Sequence, residues 1–277
     1  MVLPTFLICG AHKCGTTALF KFLDQHPDVL GSTPKETDFF HKHYDKGWEW
    51  LSSHFEGYDR HTAVGEASSL TMAAELAPAR ISEQLPDAQL LFVLRNPIER
   101  AYSQYYYHLY TGKVATPVPF HELVQDQDSD FRNKMIRLGR YDRQIPRFDR
   151  CFVRDQMKII LHNDLREEPV RVVQEVYDFI GVDAEYVPTL DQHNVTKHPT
   201  SPGRYYWLRQ AWQPLRTVGE ALFPEAAETL RRTARNLLFD RERPEMKPEA
   251  RAYLRNLYDD TIAWTEQRTG RDLSHWN

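Results

Sequence analysis

The apolar positions of this chain fall into short continuous runs separated by polar stretches with helical spacing. Thr5 to Cys9 is one such run, and Leu90 to Leu94 and Met157 to Leu161 are two more. Runs of this length with no polar alternation suit strands covered on both faces, as in a parallel sheet. Asp28 to Leu30 and the stretch entering Val64-Gly65-Glu66 are shorter strand candidates. Between them the spacing changes. From Thr16 onward Ala18, Leu19, Phe22 and Leu23 share one helical face, and His26-Pro27 closes that helix. Pro97 suits the first turn of a helix over 98–105, and residues 120–150 read as helices. Asn163-Asp164-Leu165 opens a helix running to Ile180, with Val170, Val173, Val176 and Ile180 inward and Gly181 at its end. Residues 205–277 read as helical, with Leu254, Leu257, Tyr258 and Ile262 at core spacing. Strands alternating with helices predict an α/β fold: one domain over residues 1–277, three-layered, with a central mostly parallel sheet and helices on both faces.

Composition adds limits to that picture. The chain has 277 residues and a formal net charge of −4, which argues against general nucleic-acid binding and leaves room for a local basic cleft. No apolar run approaches the roughly 18 residues a membrane span needs, and the sequence carries no signal-peptide pattern. Three cysteines, Cys9, Cys14 and Cys151, form an odd and sparse set, so the expectation is a reduced, cytoplasmic protein. Asn194-Val195-Thr196 has the form of a glycosylation sequon, idle in that compartment. His41, His43, His54 and His61 crowd one segment, yet no neighbouring ligand spacing completes a zinc pattern, so they read as surface and rim residues. Trp48, Trp50 and Phe55 are expected to pack that segment down.

The candidate chemistry begins at the first strand. Strand, glycine-containing loop (Gly10 to Gly15) and helix make a phosphate-binding arrangement, because the loop N–H groups and the positive helix end converge on one spot. The loop is near a Walker A sequence without being one. Gly10, Gly15 and Thr17 stand at the required spacing, but Thr16 occupies the lysine position and the loop's lysine is Lys13.

Lys13-Cys14-Gly15-Thr16-Thr17 resembles the 5′-phosphosulfate loop of sulfotransferases that use 3′-phosphoadenosine 5′-phosphosulfate (PAPS), most closely their heparan-sulfate-type and bacterial branch. A second match is Arg95-Asn96-Pro97 followed by Arg100 and Ser103, which is similar to the family's 3′-phosphate signature R-[DN]-P-x-x-R-x-x-S. A third is Lys35-Glu36 with Phe39-Phe40, matching K-E-x-x-F-F, whose glutamate is that branch's catalytic base. Leu138-Gly139-Arg140-Tyr141 resembles the start of the family's G-x-Y helix, and 269–276 resembles the terminal segment of many bacterial members. The family's [ED]-[DE]-L falls at Asp164, which implies a structural part for that residue. Two positions depart from the pattern. Ala67 stands where the branch has an acceptor-facing lysine, and Pro202-Gly203-Arg204 lacks the lysine of the K-G-R loop, for which Lys197 is a candidate substitute.

The resemblance implies sulfuryl transfer from PAPS, leaving 3′-phosphoadenosine 5′-phosphate (PAP), with no metal required. Lys13 and Glu36 would be catalytic. Lys13, Cys14, Gly15, Thr16, Thr17, Arg95, Ser103, Gly203 and Arg204 would hold the cofactor. The acceptor is expected to be a hydroxyl, with an amine as second choice, on a small or carbohydrate-bearing molecule of low anionic charge, since Ala67 removes a cation and the net charge is negative. Two other classes share the loop architecture: a nucleotide or small-molecule kinase, which would depend on ATP and Mg²⁺, and a non-catalytic nucleotide-binding module, which would not need Glu36.

Overall fold

A computed structural model of the chain describes residues 1–111, 118–190, 198–199, 239–240 and 244–276. These fall into two compact units. The first comprises Met1–Arg100, Ile136–Asp191 and Leu257–Asn277, and the second Ala101–Met135 and Gln192–Asn256.

The elements, in chain order, are β1 (Phe6–Gly10), α1 (Thr16–Leu23), β2 (Val29–Gly31), α2 (Gly47–Ser52), β3 (Ala63–Glu66), α3 (Ala77–Gln84), β4 (Gln89–Leu94), α4 (Pro97–Thr111), α5 (Phe120–Leu123), α6 (Asp130–Arg137), α7 (Tyr141–Phe148), β5 (Met157–Leu161), α8 (His162–Glu167), α9 (Pro169–Ile180), β6 (His198–Pro199), β7 (Phe239–Asp240) and α10 (Pro248–Thr269). In the first unit β1 to β5 form one sheet in the order β2-β3-β1-β4-β5, and every pairing is parallel. The central strands carry no exposed residue: all of β1 is buried, as is β4 beyond Gln89. This is the reason their sequences do not alternate. Helices surround the sheet, as the α/β pattern requires. The order reverses direction at β1, with β3 on one side and β4 on the other. In open parallel sheets such a reversal opens a crevice outside the carboxyl ends of the strands.

The second unit has its own aromatic core. Tyr102, Tyr105 and Phe120 pack with ring centroids 4.7 and 5.2 Å from Phe120, and the Tyr105 hydroxyl donates to the Val118 carbonyl at 2.9 Å.

Two expectations need correction. The helix read as continuous to Ile180 is two helices, α8 and α9, broken at Glu168. Pro169 has no N–H to continue the ladder and drives the residue before it out of helical geometry, with Glu168 at φ −131° and ψ 56°. Its inward face also shifts: Val172 and Tyr177 are buried with Val173, Val176 and Ile180, while Val170 is only half-buried. The first helix ends at Leu23, before His26-Pro27. Residues 112–117 and most of the segment read as helical from 205 onward, 205–238, lie outside the described residues.

Candidate active site

Three strands deliver the candidate residues at their carboxyl ends. Beyond β1 the chain runs through Ala11 to Gly15 and into α1. The Ala11 N–H still donates to the Val93 carbonyl of β4 at 2.8 Å, so the loop leaves the sheet from a fixed base. Lys13 has a left-handed backbone (φ 67°) and Gly15 caps α1 at φ 98°. Gly15 is required twice over, by that φ and because a Cβ there would sit 3.1 Å from the His162 ring. Burial and the Arg95 guanidinium push the Lys13 ammonium down to about 8, with Cys14 and Glu36 pulling the other way. Lys13 thus senses both Arg95 and Glu36 electrostatically.

The other loop residues divide. Thr17 is exposed and Thr16 buried. The Cys14 side chain is fully buried, its N–H turns back to the Ala11 carbonyl at 3.2 Å, and its thiol lies 3.8 Å from the His12 carbonyl within the loop.

Beyond β4, Arg95 is half-buried and Asn96 buried. The Asn96 side chain accepts from Ile98 N–H at 2.9 Å and donates to the Trp276 carbonyl at 2.8 Å, which caps α4 and ties this turn to the C-terminal segment. The Arg95 carbonyl accepts from the Tyr141 hydroxyl at 2.9 Å, and that hydroxyl lies 3.5 Å from the Cys14 thiol. Arg100, the second arginine of the signature, is fully buried. Ser103 lies half-buried on α4, in the second unit.

Beyond β3, Ala67 and Lys35 hold each other: Ala67 N–H donates to the Lys35 carbonyl at 3.0 Å, and the Lys35 ammonium donates to the Ala67 carbonyl at 2.8 Å. The same ammonium reaches Glu36 at 2.9 Å, whose side chain is 42% exposed and so open to an incoming acceptor. Sequence reasoning gave no part to the residue beneath them. Glu66 is fully buried, and its Oε2 accepts from the Thr37 hydroxyl at 3.0 Å, from Thr37 N–H at 3.4 Å and from the Ser68 hydroxyl. Its Oε1 has no hydrogen-bond partner among the described residues. Burial raises the carboxyl to about 7 against the pull of those donors and of Lys35. The Ser68 hydroxyl also accepts from Asp38 N–H at 2.8 Å, so Glu66 and Ser68 together hold Thr37 and Asp38, next to Glu36. A glutamate closing an apolar strand was the sequence signal.

The nearby histidines have partners of their own. His12 pairs with Ser69 at 3.2 Å, His41 faces Asp38 at 3.6 Å and is pushed down by burial, and His43 packs on Trp50 with centroids 5.3 Å apart. Phe39 packs edge-on to Phe40 and Trp48 at 5.2 and 5.0 Å, which seats the segment after Glu36 on the domain. His162, also missed, is pushed down to about 4 by burial and by Arg95, and its Nδ1 has no partner among the described residues. Asp164 is held by both Arg271 guanidinium nitrogens at 2.7 and 3.1 Å. Among the described residues no group of three or more His, Cys, Asp or Glu is placed to hold a metal ion. No helix among them is long and apolar enough to cross a membrane. Gly203, Arg204 and Lys197 lie outside the described residues.

A parallel five-stranded sheet with a glycine-containing loop and helix after its central strand defines a P-loop-like α/β fold. The sulfotransferase domain family matches residues 3–201, and this chain belongs to it. The bifunctional heparan sulfate N-deacetylase/N-sulfotransferase 1 of Homo sapiens is 30% identical over 291 residues, covering 99% of this chain and 30% of that protein. The bifunctional heparan sulfate N-deacetylase/N-sulfotransferase 3 of Homo sapiens is 32% identical over 210 residues, covering 69% of this chain and 24% of that protein. The chain thus spans less than a third of the length of these relatives. Among solved structures, a sulfotransferase from Alicyclobacillus acidocaldarius superposes with a TM-score of 0.73 at 26% identity, covering 100% of this chain and 99% of the other.

Proposed function

We propose that this chain transfers the sulfo group of PAPS to a carbohydrate-bearing acceptor and releases PAP. The observation that carries the reading is the cationic pair Lys13 and Arg95 at the ends of neighbouring strands, close enough for Arg95 to lower the proton affinity of Lys13. That pair, with the N-terminus of α1, suits an anion of high charge density. In this reading the lone pair of the acceptor attacks sulfur as the sulfur–oxygen bond to the 5′-phosphate breaks. Glu36 takes the acceptor's proton. Lys13 donates to the departing phosphate oxygen as charge builds there, a contribution worth most in a water-excluded site. Gly15, Thr16 and Thr17 would serve the 5′-phosphate and Arg95 the 3′-phosphate. Ser103, Gly203, Arg204 and Cys14 join them on the sequence resemblance alone.

The relatives are named N-sulfotransferases, which favours an amine on a carbohydrate over the hydroxyl expected from the sequence; a hydroxyl of the same class of molecule is the second reading. Ala67 and the engagement of Lys35 with its carbonyl leave less free positive charge beside Glu36, which favours a weakly anionic acceptor over a long polysulfated chain. Calorimetry with PAP, ADP and ATP tests the donor: preference for PAP is expected, and preference for ATP with Mg²⁺ would return the kinase reading. Mass spectrometry of amino and fully N-acetylated oligosaccharides incubated with protein and PAPS tests the acceptor. A sulfo group gained only by the amino form is expected; equal gain by both forms selects the hydroxyl. Binding of PAP without transfer to any acceptor supports the module reading.

A further inference from the structure

The reaction above uses Lys13, Arg95 and Glu36 and gives no part to Tyr141. That residue opens α7 and is fully buried, so its side chain has no surface to offer a ligand. Its hydroxyl nevertheless meets two loops at once, the Arg95 carbonyl at 2.9 Å and the Cys14 thiol at 3.5 Å. The direction of this relay follows from counting protons. A carbonyl only accepts, and a phenol has one hydrogen to give. The phenol therefore donates to Arg95 and meets Cys14 as an acceptor; the Cys14 S–H lies between the phenol oxygen at 3.5 Å and the His12 carbonyl at 3.8 Å. Burial raises the phenol's proton affinity well above that of a free tyrosine, so the donor is present at every working pH.

The relay stands where the sheet stops fixing the loops. The β1–β4 ladder pairs Gly10 with Phe92, and one further bond joins Ala11 N–H to Val93. Past that point the two loops leave the sheet, and Cys14 and Arg95 lie beyond its last rung. Tyr141 is itself held rigidly. Phe148 of α7 packs edge-on to Phe92 of β4 at 5.1 Å, and Ile145 is fully buried. Gly139 lets the turn before α7 lie against the Tyr258 phenol, 2.7 Å from where a Cβ would be.

We propose that Tyr141 is a positioning residue that sets the spacing between the Lys13–Thr17 loop and the Arg95 turn, and through that spacing the preference for a nucleotide bearing phosphates at both the 5′ and 3′ positions. The inference rests on the PAPS reading, and it assigns this chain's selectivity between one phosphate and two to a residue that touches neither.

The test compares PAP with adenosine 5′-monophosphate by calorimetry on the wild type and on Tyr141→Phe. A ligand gripped by both loops depends on their spacing, and a ligand gripped by one does not. Loss of one buried hydrogen bond predicts that PAP weakens about tenfold while the monophosphate changes less than about twofold. A merely structural role would weaken both ligands alike, and that outcome overturns the proposal. Full retention of the PAP preference in Tyr141→Phe also overturns it and leaves the PAPS reading standing. A wild type that does not prefer PAP to the monophosphate overturns both. Should Tyr141→Phe fail to fold, Cys14→Ala decides. It removes the thiol's contacts with Tyr141 and with the His12 carbonyl, from a side chain buried away from any ligand, so a fall of about threefold in the preference for PAP is expected, and an unchanged preference refutes the proposal.

Discussion

Replacing Glu66 with glutamine tests the electrostatics under the candidate base. The carboxyl is fully buried, Thr37 and Ser68 donate to its Oε2, and its proton is held to about 7 instead of the ordinary 4.5. The folded state therefore binds this proton more tightly than the unfolded chain does. Its favourable contribution is complete below pH 4.5 and is lost as the pH rises to about 7, with no further change above. At about 1.4 kcal/mol per pKa unit, the raised value sets a ceiling of about 3 kcal/mol on the stability lost across that window. For a chain of this size that is a ceiling of roughly 6–12 °C in Tm. Glutamine keeps an oxygen for Thr37 and Ser68 but cannot ionise, so it escapes this loss. The histidines His41 and His162, both pushed down by burial, titrate through part of the same window with the opposite sign. They are common to both proteins and cancel in the difference. The assay is thermal unfolding of wild type and Glu66→Gln at pH 5 and pH 8. The variant should lie below the wild type at pH 5 and gain several degrees on it by pH 8. A difference that stays the same at the two pH values would show that ionised Glu66 is not penalised by its site, and the argument from burial fails.

Lys13, held to about 8, should lose its proton as the pH rises through that value, so kcat/KM for the donor should fall above pH 8; Lys13→Arg should move the fall above pH 10, and an unmoved limb assigns it to another group. Glu36→Gln should lower kcat by about 10²–10⁴ with PAP affinity near wild type; near-full turnover in it, together with loss in His41→Ala or His43→Ala, would make a histidine the base. Gly139→Ala should cost about 1–3 kcal/mol and lower Tm by several degrees, because the added methyl meets the Tyr258 hydroxyl at 2.7 Å and that hydroxyl is committed to the Ile136 carbonyl at 3.1 Å; an unchanged Tm would show that the turn can yield.

Local signals carried much of the architecture. Phe6–Gly10, Gln89–Leu94 and Met157–Leu161 were readable because strands buried on both faces are apolar without interruption. The turn from β1 into α1 was readable because Gly10 and Gly15 interrupt the apolar run just before helical spacing begins. Glu66 and Tyr141 were not assigned a role, because their partners lie elsewhere in the sequence: Thr37 is 29 residues from Glu66, and Cys14 is 127 from Tyr141. Periodicity reports which face is buried and says nothing of what a buried polar atom meets. The break at Glu168 was written in Pro169 but was outweighed by the helical spacing on either side.

The parallel order of the sheet has a consequence for how the molecule comes into being. β1 is made first and is apolar throughout, yet its neighbours β3 and β4 begin at Ala63 and Gln89, and the Arg95 turn is tied through Asn96 to Trp276. During synthesis β1 stays unpaired until β3 and then β4 have emerged. Contacts so distant in sequence close slowly, because chain entropy is lost before the pairing returns it. The loop after β1 is made long before Trp276, so the Arg95 turn receives that tie late. A nascent or truncated chain would expose β1 as a bare apolar edge, the kind of surface that chaperones cover and aggregates recruit.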